Sequence, residues 1–225
     1  MVAFMEAEIG LSMFLFTRPD YDPVTKYLSA WSKILITEAR AKAIEVVDLV
    51  LGKANRKELE GRLKKMRPSF VVLNGHGNDD CVTGQNEERL VETGMNSDIL
   101  AGRITYAVSC NSAARLGREV GLYEATAFIG YEKKFSFMHS HGFFQHPEED
   151  PTVRPFMEFS NQVVRALMKG HSADESIYRA KEVGEKYLRK MESSLSDPNV
   201  QMAAAFLWRD ISHLVVHGDG HKTAV

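Results

Sequence analysis

Two short stretches hold the residues best suited to chemistry. In VVLNGHGNDD (residues 71–80) an apolar run breaks into Gly75-His76-Gly77, and in ITYAVSCNSAARLG (residues 104–117) a second apolar run meets Cys110. Both runs are short and rich in β-branched or aromatic residues, the signature of buried strands. If the strands are neighbours, His76 and Cys110 emerge side by side, a nucleophile with a proton acceptor and donor. A thiol at a strand end, just before a helix, lies near backbone N–H groups and the positive end of a helix dipole, and both favour thiolate. Gly75 permits the turn that lifts His76 out of the sheet, and Gly77 leaves room for an incoming peptide. The N–H groups of Gly77 and Cys110 could then bind the oxyanion of a tetrahedral intermediate. The plainer alternatives are a turn histidine and a small buried thiol.

The elements that must position these residues follow from periodicity. Strands are expected over residues 9–17, 70–73, 104–109, 125–131 and 212–217. Helical spacing runs over 24–51, where Asp22 caps and Pro23 takes the first position, then over 56–66, 113–120 (closed by Gly121), 153–168, 172–191 and 199–208. A small hairpin fits 80–91 and a brief helical segment 97–100. Strands alternating with helices predict an α/β chain, with a mostly parallel sheet and helices on both faces, as one domain over 1–225. In such sheets, sites gather at the C-terminal strand ends.

Length and composition narrow the function classes. The chain has 225 residues, 44% hydrophobic and 26% charged, with net charge −2, and so shows no basic surplus for nucleic acid and no basic amphipathic segment for a membrane. No signal or membrane span is evident, and the two cysteines, Cys81 and Cys110, make no disulfide framework, so a reducing cytoplasm is expected. Cys81 follows two aspartates that would raise its pKa, and reads as structural. Residues 133–150 form a long aperiodic loop carrying His139, His141, His146, Glu148, Glu149 and Asp150; the spacing matches no common zinc pattern. Asp79 and Asp80 fit either a calcium contact or a solvated turn.

With the blocks VVLNGHG and YAVSCNSA in this order, the chain resembles the caspase-like (clan CD) cysteine peptidases, nearest the CHAT, clostripain and gingipain branch. AFIGYEKKF looks like the strand and loop that edge the substrate cleft in that group, and HLVVHGDG is similar to its closing strand. The resemblance implies a three-layer caspase-like sandwich and an endopeptidase with a His76–Cys110 dyad and an oxyanion hole from Gly77 and Cys110. It also implies a substrate cleft touching Asp20, Ser109, Tyr131 and Glu132, and no cofactor, with activation by calcium as in some relatives. Its partners would be a protein or peptide substrate, an activating protein, and a second copy paired through sheet edges. For the residue before the scissile bond (P1), Asp20 and Asp22 favour Arg or Lys, as in clostripain, gingipain and separase, while Arg18 in the same loop favours an acid. A caspase-like scaffold with little activity, or a non-peptidase cysteine hydrolase or acyltransferase, would use the same residues.

Overall fold

The computed structural model describes residues 12–194 and 196–225. Its frame is a six-stranded sheet in the order β2-β1-β3-β6-β7-β8, formed by Glu45–Val50, Met13–Arg18, Phe70–Asn74, Ile104–Val108, Ala127–Tyr131 and Leu214–Gly218. All neighbours pair parallel except β7 and β8, which run antiparallel. The inner strands read as unbroken apolar runs because both faces of the sheet are covered. Phe14, Phe16, Phe70, Val72, Tyr106 and Ile129 face a layer made by α1 (Pro23–Ala41), α4 (Arg154–Leu167), α5 (Ala173–Met191) and α6 (Pro198–His213). The alternate residues Leu15, Val71, Leu73, Ala107 and Phe128 face α2 (Arg56–Met66) and α3 (Leu116–Val120). The result is the expected α/β three-layer sandwich. Of the first expected strand, residues 9–11 lie outside the described residues.

Local chemistry sets the element ends. Asp22 caps α1 in a reciprocal capping box with Thr25, with Pro23 at the first position, as the sequence predicts. The helix stops at Ala41, however, not near residue 51. Ala43 takes a positive φ of 59° and the chain enters β2, paired in register with β1 from Met13↔Glu45 to Arg18↔Val50. Ile44, Val47 and Val50 are spaced for a helix by coincidence. Val47 and Val50 are β-branched residues of an edge strand, Ile44 comes just before it, and no Gly or Pro marks the break. The hairpin forms from β4 (Cys81–Thr83) and β5 (Arg89–Glu92) as a separate two-stranded sheet. α3 begins only at Leu116, later than predicted, and α6 runs to His213, so residues 212 and 213 are helical rather than strand.

The long loop 133–150 lies against α1. The Tyr27 hydroxyl donates to Asp150 at 2.8 Å, and Trp31 Nε1 donates to the Pro147 carbonyl at 3.0 Å. Among the described residues no helix is long and apolar enough to cross a membrane.

Candidate active site

β3 and β6 are hydrogen-bonded neighbours, and their ladder ends at the pair Asn74↔Val108. His76 and Cys110 follow that pair at equal remove, so the two loops leave the sheet side by side. Gly75 makes the exit from β3: at φ +155°, a Cβ there would stand 1.9 Å from the Thr83 carbonyl oxygen, so only glycine fits. The His76 carbonyl is then pinned by the Thr83 N–H at 2.8 Å, which ties the histidine to the hairpin.

The partner of the imidazole is Asp22. Its Oδ2 lies 2.6 Å from His76 Nε2, and its Oδ1 accepts the Thr25 N–H at 2.8 Å. Burial works to raise the Asp22 pKa, but the hydrogen bonds from Thr25 and His76 outweigh it and hold the carboxyl below its ordinary value. A carboxylate is thereby fixed on one ring nitrogen, which leaves Nδ1 for proton traffic. The sequence shows Asp22 as a helix cap and as a charge favouring a basic P1 residue; its contact with His76 depends on β1 and β3 being adjacent.

Cys110 is half-buried, and its thiol donates to the Phe135 carbonyl at 3.5 Å; it makes no hydrogen bond to His76. Burial pushes the thiol pKa up, against the pull of the cations Lys134 and Arg209. The expected lowering by a helix dipole fails. α3 is a single short helix that starts well beyond Cys110, and desolvation dominates. Cys81 is buried and its pKa is raised, chiefly by burial, consistent with a structural thiol.

Among the described residues the N–H groups of Gly77 and Cys110 donate no hydrogen bond, which leaves both for an oxyanion. Gly77 is glycine for a further reason. A Cβ would meet the Cys81 carbonyl oxygen and Ser109 Oγ at 2.9 Å and the Cys110 carbonyl oxygen at 3.1 Å, so the two site loops close on each other there.

The expected substrate contacts are placed otherwise. Ser109 and Tyr131 are 2% and 0% exposed, packed beneath the surface rather than along a cleft. Glu132 accepts from Arg118 at 3.0 Å and stands 4.0 Å from His217. Asp20 lines a cleft against α1 with Arg18, Lys26 and Lys33, and its N–H is held by Gln85. Asp79 accepts from Asn111 at 2.8 Å and Asp80 is paired with Arg115, so both carboxylates are engaged within the protein. Among the described residues no group of three or more His, Cys, Asp or Glu is gathered to hold a metal.

The sequence reading missed Asp210. It is 1% exposed, accepts the Ser136 N–H at 3.3 Å on each oxygen, and is pushed up to about 8 by burial. One peptide unit therefore bridges the site: its Phe135 carbonyl takes the Cys110 thiol and its Ser136 N–H takes Asp210. The available signal was a carboxylate between Leu207 and Ile211, on the buried face of α6.

No protein-family model matches this sequence, and no curated protein matches it.

Proposed function

We propose that the protein is a cysteine hydrolase cleaving peptide bonds in the manner of the caspase-like peptidases that its sequence resembles. The observation that carries this reading is the equal placement of His76 and Cys110 beyond the last β3–β6 pair, with a carboxylate on the histidine. Substrate displaces the Phe135 carbonyl, the Cys110 proton passes to His76 Nδ1, and the sulfur bonds to the scissile carbonyl carbon. The oxyanion lies between the Gly77 and Cys110 N–H groups. His76 returns its proton to the leaving amine as the C–N bond breaks. It then takes a proton from water, the hydroxide displaces the sulfur, and the thiol is restored with release of the acid. Asp22 stabilises the imidazolium throughout.

On this reading the resting thiol, half-buried and held by a loop carbonyl, is opened by a substrate or an activating partner. Asp20, the contact first assigned to a basic P1 residue, lies in the cleft against α1.

A fluorogenic peptide panel with and without calcium, run beside Cys110→Ala and His76→Ala, tests the reading. Turnover that vanishes in both variants is expected. Turnover surviving in either would exclude the dyad.

A further inference from the structure

The two N–H groups read as an oxyanion hole come from different loops. Gly77 is fixed within its own. It faces Val82 as an isolated antiparallel bridge, flanked by the Asn78 N–H on the Cys81 carbonyl at 3.1 Å and the Thr83 N–H on the His76 carbonyl at 2.8 Å. Asn78 Oδ1 accepts the Asp80 and Cys81 N–H groups at 2.8 and 3.0 Å, which stiffens the turn that follows. Cys110 belongs to the loop after β6, and the ladder that ties β6 to β3 stops at Asn74↔Val108, before either donor.

Beyond that pair, the hydrogen bonds that cross from residues 76–81 to residues 109–116, among the described residues, converge on Asp79, beside the exposed ion pair of Asp80 with Arg115. The Asp79 carbonyl accepts the N–H groups of Arg115 and Leu116 at 3.1 and 2.9 Å, and Asp79 Oδ1 accepts Asn111 Nδ2 at 2.8 Å. Asn111 follows Cys110 directly, at a φ of 56° that few residues other than Gly and Asn adopt without strain. Its N–H donates to the Lys133 carbonyl at 3.1 Å, and its Oδ1 is buried with no partner among the described residues. Turning the amide over would aim that oxygen at the carboxylate. The charge-assisted bond to Asp79 therefore fixes the orientation and leaves the oxygen unpaired.

We propose that Asp79 and Asn111 are the positioning residues of the oxyanion hole: their bond sets the spacing of the Gly77 and Cys110 N–H groups so that both reach one oxygen. This rests on Cys110 attacking a carbonyl carbon, as in the proposed reaction. An N–H stabilises an oxyanion from about 3 Å, so a slip of about 1 Å between the loops takes one donor out of range. The bonds to the Asp79 carbonyl meet the chain at Arg115 and Leu116, well past Cys110, whereas the side-chain bond acts on the residue next to the nucleophile.

The test separates addition to a carbonyl from simple access to the thiol. Peptide aldehydes bearing Arg, Lys, Asp or Asn accept the Cys110 sulfur at the carbonyl carbon. The C=O π bond breaks, the oxygen develops its charge in the hole, and the thiol proton ends on it. Iodoacetamide instead alkylates the sulfur with loss of iodide and forms no oxyanion. Protection of Cys110 from iodoacetamide, read by mass spectrometry on the full chain, gives the Kd of each aldehyde without any turnover. Asp79→Ala and Asn111→Gly should each weaken the best aldehyde by about tenfold or more, while alkylation without aldehyde changes by less than about twofold. Glycine keeps the left-handed turn, so Asn111→Gly removes the amide alone. Asp79→Asn, which still presents an oxygen to Asn111, should stay within about threefold of wild type. Asp79→Ala and Asn111→Gly together should lose no more than either alone, because both break one bond. Unchanged aldehyde affinity in either single variant, or losses that multiply, overturns the assignment and leaves the hydrolase standing. Alkylation that shifts in step with the aldehyde affinity would mean that the pair acts on the thiol or the fold rather than on the donors, and overturns it too. If no aldehyde protects Cys110 in the wild type, this inference and the reaction reading fall together.

Discussion

Asp22 and His76 are joined by a 2.6 Å contact between Oδ2 and Nε2, and the other oxygen of the same carboxylate caps α1 through the Thr25 N–H at 2.8 Å. One side chain thus fixes both a helix start and the orientation of the candidate catalytic base. The two tasks can be separated by substitution. Asparagine caps a helix about as well as aspartate, whereas alanine costs about 1 kcal/mol. Asp22→Asn should therefore melt within a degree or two of wild type, and Asp22→Ala clearly lower. Both should lose turnover by about 10²-fold or more, since neither stabilises an imidazolium. Full activity in Asp22→Asn would reduce Asp22 to a cap.

How much of this was legible depends on range. The cap at Asp22, the strand–glycine–histidine exit and the strand–cysteine exit are local patterns, and periodicity alone recovers the layers. β2 was hidden because an edge strand of β-branched residues also satisfies a 3.6 period, and Ala43 adopts its positive φ without a glycine to announce it. Asp22–His76 and Cys110–Phe135–Ser136–Asp210 join residues far apart in the chain. Their meeting is set by strand order and by how the 133–138 segment folds back, neither of which any single stretch encodes. Charge counting near the strand ends therefore chose Asp20 and Asp22 and overlooked Asp210, the carboxylate on α6 that shares the Phe135–Ser136 peptide unit with the thiol.

Gly75 has no substitute. An alanine Cβ would overlap the Thr83 carbonyl oxygen at 1.9 Å, on a backbone with φ +155°. Gly75→Ala should lose about 2–4 kcal/mol in denaturant unfolding, from strain and steric displacement together. It should also release the Thr83 amide, whose bond to the His76 carbonyl is 2.8 Å, to faster hydrogen exchange. An unchanged Thr83 amide would mean that the turn adapts without moving His76.

The Cys110 thiol should be sluggish at rest. Its raised pKa, caused mainly by burial, means that thiolate accumulates only above the ordinary thiol value of about 8.5. Alkylation by iodoacetamide should be slow at pH 7 and still climbing at pH 9. Ser136→Pro removes the N–H that Asp210 holds and so frees the neighbouring carbonyl from its anchor. It should speed alkylation by about tenfold across that range. If the profile levels off below pH 8 in the wild type, the thiol is already activated and the loop does not restrain it.

Asp210 should write its own signature on stability against pH. Its folded pKa is raised to about 8 from the ordinary 3.8, mainly by burial, so between those values the folded state keeps a proton that the unfolded state has released. The stability it contributes is fully present below the unfolded pKa and is lost as the pH rises towards about 8, where the slope from this group vanishes. Asp210→Asn replaces the protonated acid with a neutral group that can still accept the Ser136 N–H. Melting temperatures across pH 4 to 9 should show a decline in the wild type that the variant lacks, so that Asp210→Asn becomes relatively more stable at the alkaline end. Parallel curves would place the carboxyl in its ionised form, paired with Arg209.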